Sequence, residues 1–264
     1  MPLSYSQLQT YRRCPKQYEF AVIKKIGRSI SAGESFGSSV HNALRRFGEL
    51  EMKMAGTHEQ EKPLQLFTEE SAHDIPAELT LTTLLTLWRG CFIAHGYASK
   101  TEMDGKFAEG ERALTKFFDW WSEKKRTVIC IEKSFKFPVP KTDDVLAGRF
   151  DRIERDENGL HIIDFKSSSP RPSESIATDL QLSVYALAAK TIWPDAVAKL
   201  TLLFVTEEGC IEQSTVRSEA ELQDATTSIR LLSERMDAKD FTATPSIEKC
   251  RHCPYRSICP ERAA

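Results

Sequence analysis

Two carboxylates and a lysine are the residues of this chain whose types and spacing best suit catalysis: Asp151, then Asp164 and Lys166. Two carboxylates can hold Mg²⁺, which prefers hard oxygen ligands and keeps several waters. A metal held in this way offsets charge on a phosphate and acidifies a bound water, and a nearby lysine can orient that water. These residues therefore suit hydrolysis of a phosphodiester. Because acids and lysines are also common on solvated strand faces, further motifs are needed to support this interpretation.

The residues around these side chains predict a β-hairpin that brings the two aspartates onto neighbouring strands. Strands are expected near 145–155 and 160–167, with Asn158-Gly159 as a turn in which both central residues have positive φ. Side chains alternate between the two faces of a strand. Asp164 and Lys166 should therefore share one face, with the apolar residues beside them packed behind.

Four short motifs follow one another along the chain: Gly37-Ser38-Ser39-Val40-His41, Gly148-Arg149-Phe150-Asp151, Asp164-Phe165-Lys166 and Gln181-Leu182-Ser183-Val184-Tyr185. Their types and order resemble the PD-(D/E)XK nuclease superfamily. They are most similar to its RecB-like branch, which includes the iron–sulfur exonucleases of CRISPR adaptation and the RecB/AddB-type nuclease domains. The resemblance implies a restriction-endonuclease-like α/β fold and a Mg²⁺- or Mn²⁺-dependent deoxyribonuclease, more often an exonuclease than an endonuclease.

The same resemblance implies roles for individual side chains. It makes metal ligands of His41, Asp151, Asp164 and the carbonyl oxygen of Phe165. It makes Lys166 the lysine that activates water, and it gives Gln181 and Tyr185 a supporting or DNA-contacting role near the site.

Helical periodicity and strand propensity indicate how these side chains are presented. Val40, Leu44 and Phe47 recur at helical spacing and should face the core, which leaves His41 on the flank of that face. Gln181 and Tyr185 are four residues apart, so they should lie one turn apart on one face of a helix.

One further acidic residue is a candidate for the same site. Glu132 falls in a strand-like stretch, 128–139, and is either an additional acid near the metal or an ordinary solvated strand residue.

Four cysteines near the two ends of the chain carry a second chemical signal. Cys250, Cys253 and Cys259 form a C-x2-C-x5-C run, and Cys14 stands alone near the other end. Four thiolates complete one zinc site or one iron–sulfur cluster, and the spacing fits either. One N-terminal and three C-terminal cysteines are the pattern of the iron–sulfur nucleases that this chain resembles. The resemblance therefore implies a 4Fe-4S cluster that joins the chain ends, with His252 as an alternative ligand.

Composition sets limits on the class of protein. The chain has 264 residues, of which 41% are hydrophobic and 28% charged, as in a typical soluble globular protein. It has no run of eighteen apolar residues that could span a membrane, and basic residues interrupt any signal peptide near Met1. We therefore expect a cytoplasmic protein with reduced cysteines, in which Cys91, Cys130 and Cys210 are buried thiols.

Charge is distributed unevenly although the net charge is only -2. Residues 1–30 carry a net charge of +5 and residues 249–264 a net charge of +3, whereas residues 51–80 carry -5. If a cluster joins the ends, the two basic segments form one surface that could hold DNA phosphates near the acidic site. Each basic run could also be a solvated face.

The predicted elements follow the core order of the superfamily: a helix, a three-stranded mixed sheet, a helix and a strand. A capping box at Ser4 and Gln7 predicts a first helix that carries Leu8, Tyr11 and Tyr18, with Cys14 on or near it. Further helices are expected at 36–54, 79–92, 110–125, 174–192 and 219–238, and further strands at 127–139, 199–206 and 210–217.

These elements lead to a prediction of one nuclease domain, 1–264, with attachments. Its parts are an N-terminal cluster-binding helix (1–30), a helical insertion (55–110), a catalytic core (127–238, together with helix 36–54) and a C-terminal cluster-binding tail (240–264).

Two classes of function agree with the motifs. The first is a metal-dependent DNA exonuclease or end-processing enzyme with a structural 4Fe-4S cluster. The second is a non-catalytic DNA-end-binding or redox-sensing subunit of a repair or recombination complex. The intact aspartates and lysine favour the enzyme. No G-x-x-x-x-G-K-[ST] motif is present, so a helicase, or an integrase of CRISPR adaptation, would have to be a separate partner. The sequence does not indicate an oligomeric state.

Overall fold

The computed structural model describes residues 2–56, 78–124, 127–193 and 197–263. Within these residues six strands form one mixed sheet: β1 (Leu3–Ser4), β2 (Thr127–Pro138), β3 (Val145–Asp156), β4 (Gly159–Lys166), β5 (Val197–Val205) and β6 (Cys210–Thr215). The helices are α1 (Tyr5–Arg13), α2 (Pro15–Tyr18), α3 (Ala32–Met54), α4 (Leu81–Cys91), α5 (Lys100–Ser122), α6 (Glu174–Ala177), α7 (Leu180–Ile192), α8 (Glu219–Asp237) and α9 (Ile247–Arg251), with a π-helical stretch at Glu19–Ile23. The predicted mixed α/β class is confirmed.

The strand order of the sheet is β1-β3-β4-β5-β6, and β2 also pairs with β3. The pairs β2–β3, β3–β4 and β5–β6 are antiparallel, whereas β1–β3 and β4–β5 are parallel. A parallel connection needs a crossover, and α6 and α7 provide it between β4 and β5. The helix with the Gln181 motif, α7, therefore lies in the crossover that follows the strand with the Asp164 motif.

Helices cover both faces of the sheet. Residues of α1, α7 and α8 form one buried cluster with the sheet, and residues of α3, α4 and α5 form the other. In the second cluster Phe47, Trp88 and Phe117 are at most 1% exposed, and burial of each such side chain contributes about 1.5–3 kcal/mol. Gly110 allows α5 to approach α4 closely, because a Cβ atom there would lie 2.1 Å from the Trp88 ring.

Helix α3 begins four residues before its predicted start. Ser31 caps it and forms a reciprocal capping box with Glu34, which satisfies backbone donors of the first turn. As predicted, Val40, Leu44 and Phe47 are buried, and the His41 side chain on their flank remains 34% exposed.

Helix α1 has the predicted capping box between Ser4 and Gln7. It ends at Arg13, because Cys14 is extended and Pro15 begins a new helix. Tyr18 consequently lies on α2, and Cys14 lies between the two helices.

Strands β3 and β4 pair along only part of their length. Their register runs from Asp156 opposite Gly159 to Arg152 opposite Ile163. Beyond that point β3 pairs with β1, while β4 continues beside β5 as far as Lys166. The two strands therefore diverge at Asp151 and Asp164, and we call the opening between them the fork.

The predicted turn between these strands is wrong in detail. Asp156 pairs with Gly159, so the two loop residues are Glu157 and Asn158, and neither has positive φ. Gly159 alone has positive φ, at 124°. The Asp156 side chain stabilises the turn by accepting a hydrogen bond of 2.8 Å from the Asn158 backbone N–H.

The single helix predicted over 174–192 is also wrong, because the chain forms two helices, α6 and α7. Thr178 ends the first, and the Asp179 side chain caps the second by accepting from the Leu182 N–H. Helix α5 starts ten residues before its predicted beginning, at the Ser99 cap. Cys91 and Cys130 are buried as predicted, whereas Cys210 is only half-buried.

Part of the predicted helical insertion, residues 57–77, lies outside the described residues, as does much of the acidic segment 51–80. Among the helices that are described, none has the length and apolar character required to cross a bilayer.

Candidate active site

Four of the predicted site residues meet on the side of the fork that faces α7. Asp164 is 2% exposed, and its Oδ1 atom accepts hydrogen bonds from Tyr185 Oη at 2.7 Å and from Gln181 Nε2 at 2.8 Å. Gln181 Oε1 in turn accepts from Lys166 Nζ at 2.9 Å. Helix α7 therefore holds both the carboxylate and the lysine of β4 through side chains one turn apart.

Asp151 lies across the fork and is held by the backbone of β4. Its Oδ2 atom accepts a hydrogen bond of 2.9 Å from the Phe165 N–H, which is not paired with the backbone of β3 because the strands have diverged. His41 Nδ1 of α3 lies 3.4 Å from the same oxygen, and the His41 ring meets the Phe165 ring edge to face. The structure thus brings together all the residues that the sequence predicted for this site.

Burial changes the ionisation of these groups. Burial raises the pKa of Asp151 well above its usual range, and the nearby Asp164 carboxylate raises it further. Burial also lowers the pKa of His41, which favours the neutral imidazole that binds metals. Burial and the charge of Asp164 raise the pKa of Tyr185, so its hydroxyl remains a donor to that carboxylate.

The donors around the fork fit a hard divalent cation such as Mg²⁺ or Mn²⁺. Asp164 Oδ2 is buried, and the Lys166 ammonium lies 2.5 Å from it as an ion pair. A buried carboxylate oxygen needs a cation or donor of this kind, so a bound metal would share that oxygen with the lysine or replace the lysine there. Two carboxylates and a backbone carbonyl suffice for Mg²⁺, which keeps its remaining waters. In the described parts of the chain, no three His, Cys, Asp or Glu side chains are already disposed around one metal position.

The fork opens into a solvent-accessible cleft of about 920 Å³. Its lining includes His41, Asn42, Lys166 and Arg28. Arg28 forms a two-pronged ion pair with Glu34, and this pair lowers the pKa of Glu34 to about 2. The sequence signalled Arg28 only as one of several basic residues near the N terminus.

Glu132 lies beside the fork in a strained conformation. Ile131 and Lys133 pair with Arg152 and Phe150, so Glu132 is opposite Asp151. Its φ of 53° falls in the left-handed region, which costs a non-glycine residue about 1–3 kcal/mol.

The Glu132 side chain is 20% exposed and pairs with Arg149, whose Nη1 donates to Glu132 Oε2 at 3.0 Å. An exposed ion pair of this kind contributes about 0–1 kcal/mol, which is less than the strain. The sequence raised Glu132 as a possible further acid but did not single out Arg149 within the Gly148–Asp151 motif.

The four predicted ligand cysteines line one small cavity between the ends of the chain, which we call the clasp: Cys14, Cys250, Cys253 and Cys259. Burial raises the pKa of Cys253, and the nearby thiols of Cys14 and Cys259 raise it further. Four soft sulfur donors are of the type that zinc or an iron–sulfur cluster takes. In the part of the chain that the structure describes, these thiols share one cavity but are not disposed as ligands around one metal position.

Hydrogen bonds between distant segments hold the two ends of the chain together beside the clasp. Tyr11 Oη donates to the Asp240 carbonyl at 2.6 Å, and Tyr255 Oη donates to the Ile26 carbonyl at 3.1 Å. Two residues after Ile26, Arg28 lines both the active-site cleft and a second cleft that also contains Arg13 and Arg251. The basic N-terminal and C-terminal segments therefore adjoin the acidic site.

A known protein family matches nearly the whole chain. The sequence model of the PD-(D/E)XK nuclease superfamily matches residues 2–260, and the chain belongs to that superfamily. Membership indicates a metal-dependent nuclease; enzymes of this superfamily generally use Mg²⁺ or Mn²⁺, and the membership implies DNA as the substrate.

Two curated phage proteins are similar over nearly their whole length. The Gene 69 protein of Mycobacterium phage L5 is 25% identical over 292 residues, covering 98% of this chain and 97% of the phage protein. The Gene 69 protein of Mycobacterium phage D29 is 24% identical over 274 residues, with the same coverage of 98% and 97%. Among solved structures, the crystal structure of SSO0001 aligns with 98% of this chain and 96% of its own at 15% identity and a TM-score of 0.41.

Proposed function

We propose that this protein is a RecB-like deoxyribonuclease that acts as an exonuclease or end-processing enzyme and carries a structural 4Fe-4S cluster. One observation carries the catalytic part of the proposal. At the fork, Asp151 and Asp164 lie at the point where their strands diverge, and the buried Asp164 carboxylate forms an ion pair with Lys166 beside the open cleft.

His41, Asp151, Asp164 and the carbonyl of Phe165 are the groups that would hold Mg²⁺ or Mn²⁺. When bound, the cation supplies positive charge for the phosphate oxygens and makes a water more acidic. The chain itself keeps the carboxylates oriented, because hydrogen bonds from β4 and α7 fix Asp151 and Asp164 independently. Such preorganised groups need little rearrangement during the reaction.

Lys166 is the residue that would orient the attacking water or stabilise the developing charge on the phosphate. Its ammonium contacts Asp164 Oδ2 and Gln181 Oε1, and an ammonium has three N–H donors. One donor is therefore left for a water or a phosphate oxygen in the cleft. Gln181 and Tyr185 act through Asp164 and Lys166 as positioning residues.

DNA would reach the site along the basic clefts. Arg28 lines both the active-site cleft and the cleft that contains Arg13 and Arg251. Because Glu34 neutralises Arg28, Arg13 and Arg251 are the cations of this path that would meet DNA phosphates. Contacts of this kind bind phosphates without reading sequence, as expected for a nuclease that acts on any DNA end.

In this proposal the four clasp cysteines hold a 4Fe-4S cluster that fixes the ends of the chain. The whole chain, 1–264, then works as one nuclease domain with 1–30 and 240–264 as its cluster-binding segments. Cysteines that hold such a cluster must stay reduced, so we place the protein in the reducing cytoplasm. Because the sequence contains no ATP-binding motor motif, a helicase or a CRISPR-adaptation integrase is the type of partner that would supply or receive the DNA ends.

The nuclease proposal is tested with purified protein on end-labelled linear and on circular single-stranded DNA, with and without Mg²⁺. The wild type should degrade the linear substrate only with the metal and spare the circular one. Asp164→Asn should reduce the rate by roughly 10³-fold, the loss expected when several kcal/mol of charge stabilisation disappear. Asp104→Asn, in an exposed ion pair with Lys100, is the matched control and should cut normally. Unchanged cleavage by Asp164→Asn would refute the proposed site, and binding without cleavage by the wild type would indicate a non-catalytic DNA-end-binding module.

The cluster is tested separately on anaerobically purified protein. We expect roughly four iron atoms per chain and broad absorption near about 400 nm, both lost in Cys14→Ala but retained in Cys91→Ala, whose buried thiol is on α4. Colourless protein with about one zinc per chain would refute the iron assignment. Because its ligands come from opposite ends of the chain, loss of the cluster should also lower thermal stability.

A further inference from the structure

Arg149 is a cation whose donors are largely unused. Its side chain is 59% exposed, and among the described residues its hydrogen bonding consists of the single bond to Glu132. A guanidinium has five N–H donors in one plane, and their spacing matches the oxygens of a phosphate. Arg149 can therefore keep its bond to Glu132 and still bind an anion from the solvent.

The position of Arg149 relates it to the cleavage site. It precedes Asp151 by two residues on β3, and Phe150 between them is fully buried. Arg149 is next to Phe150 and points away from the core that buries it, and Asp151 contacts His41 of α3, which covers that other face of the sheet. Arg149 and Asp151 are separated by about 7 Å along the strand. That distance is of the same order as the spacing of neighbouring phosphates along a nucleic-acid strand.

Glu132 holds Arg149 in this position at a cost to the fold. Its left-handed backbone lies opposite Asp151, and the strain energy exceeds the stabilisation that one exposed ion pair contributes. A glycine at this position would adopt the same φ without strain. The acidic side chain therefore has a use other than stability, and strained residues of this kind cluster at functional sites.

We propose that Arg149 binds the phosphate adjacent to the scissile phosphate, and that Glu132 is the positioning residue that aims its guanidinium. This inference rests on the proposed nuclease function and names a substrate contact of the same site. The contact recognises the sugar–phosphate backbone, so it contributes to affinity and alignment without base specificity. Fixing the guanidinium before the substrate arrives reduces the entropy lost on binding.

Binding is measured first, by fluorescence anisotropy with a labelled single-stranded oligonucleotide, in the Asp164→Asn background so that the DNA stays intact. Arg149→Ala should weaken binding about 5- to 10-fold. It should also reduce the slope of log affinity against log salt by about 0.7, the value for one lost phosphate contact on a single strand. Lys100→Ala, which removes a cation from the exposed ion pair with Asp104, should leave the slope unchanged. An unchanged slope in Arg149→Ala, or an equal drop in Lys100→Ala, would overturn the proposal.

Cleavage by otherwise wild-type protein then tests how the two residues are coupled. Arg149→Ala and Glu132→Gln should each lower kcat/KM, and the double variant should be no worse than Arg149→Ala alone. Additive losses would mean that Glu132 acts independently of Arg149 and would overturn its positioning role. Glu132→Gly is the folding control: it should lose activity like Glu132→Gln without any decrease in Tm. A decrease in Tm would assign Glu132 to the fold instead.

Failure of this inference is distinguishable from failure of the proposed function. If Arg149→Ala cuts and binds like the wild type while Asp164→Asn is inactive, the nuclease assignment stands and the phosphate contact does not. If Asp164→Asn itself cuts normally, the nuclease site is wrong.

Discussion

Replacing Asp151 with asparagine should stabilise the metal-free protein while it abolishes cleavage. Burial and the neighbouring Asp164 raise the pKa of Asp151 well above its ordinary value of 3.8, so folding disfavours the ionised form. A group whose pKa is higher in the folded state contributes stability at low pH and loses it as pH rises through the folded pKa. Asparagine keeps the acceptor for the Phe165 N–H and carries no charge, so it avoids this loss.

The size and pH dependence of the effect follow from the same linkage. A stabilising substitution commonly gains about 0.5–2 kcal/mol, which corresponds to an increase in Tm of roughly 1–8 °C for a chain of this size. The difference in Tm between the variant and the wild type should be small near pH 4 and widen as pH rises from there. Groups distant from Asp151 cancel in this difference, so it reports the titration of Asp151 together with the groups coupled to it.

The assay is thermal unfolding, followed by circular dichroism in magnesium-free buffer from pH 4 to pH 8, and repeated with Mg²⁺. A metal at 100 times its dissociation constant stabilises the folded state by about 2.7 kcal/mol. Added Mg²⁺ should therefore raise the Tm of the wild type and reverse the order of the two proteins. If the variant without metal is less stable than the wild type at every pH, the buried charge of Asp151 does not destabilise the metal-free fold, and the reasoning is refuted.

Three further substitutions test the elements that position the site. Arg152→Ala should destabilise the fold by about 3–5 kcal/mol in urea unfolding, because it leaves the part-buried Glu51 carboxylate without the guanidinium that donates to both its oxygens at 2.7 and 3.0 Å. Tyr185→Phe removes a donor to Asp164 and should lower activity 10- to 100-fold at low Mg²⁺, with recovery as Mg²⁺ is raised. Gly110→Ala should cost about 1–3 kcal/mol of stability in the same unfolding assay, since its Cβ would enter the Trp88 ring.

Local signals in the sequence were sufficient for most elements and for the chemistry of the site. The α1 capping box, the apolar repeat of α3 and the alternation in β4 each depend on neighbours in the chain, so residue types alone predicted them. Because Asp164 and Lys166 are two residues apart, their spacing likewise predicted that both lie on the same face of β4. The predictions were wrong where two local signals compete. The Asp156 side chain moved the hairpin turn by one residue, and the Asp179 cap divided the predicted helix 174–192 into α6 and α7.

Tertiary structure decided how the site is assembled, because the relevant contacts join residues far apart in the chain. Divergence of β3 from β4 frees the Phe165 N–H for Asp151, and the packing of α7 on the sheet brings Tyr185 to Asp164. The strain at Glu132 depends on the β2–β3 register, which no local pattern encodes. The sequence by itself therefore determined which groups can do the chemistry. The orientation of those groups, the burial of Asp164 beside α7 and the pairing of Arg149 with Glu132 came from long-range packing, which depends on the whole chain at once.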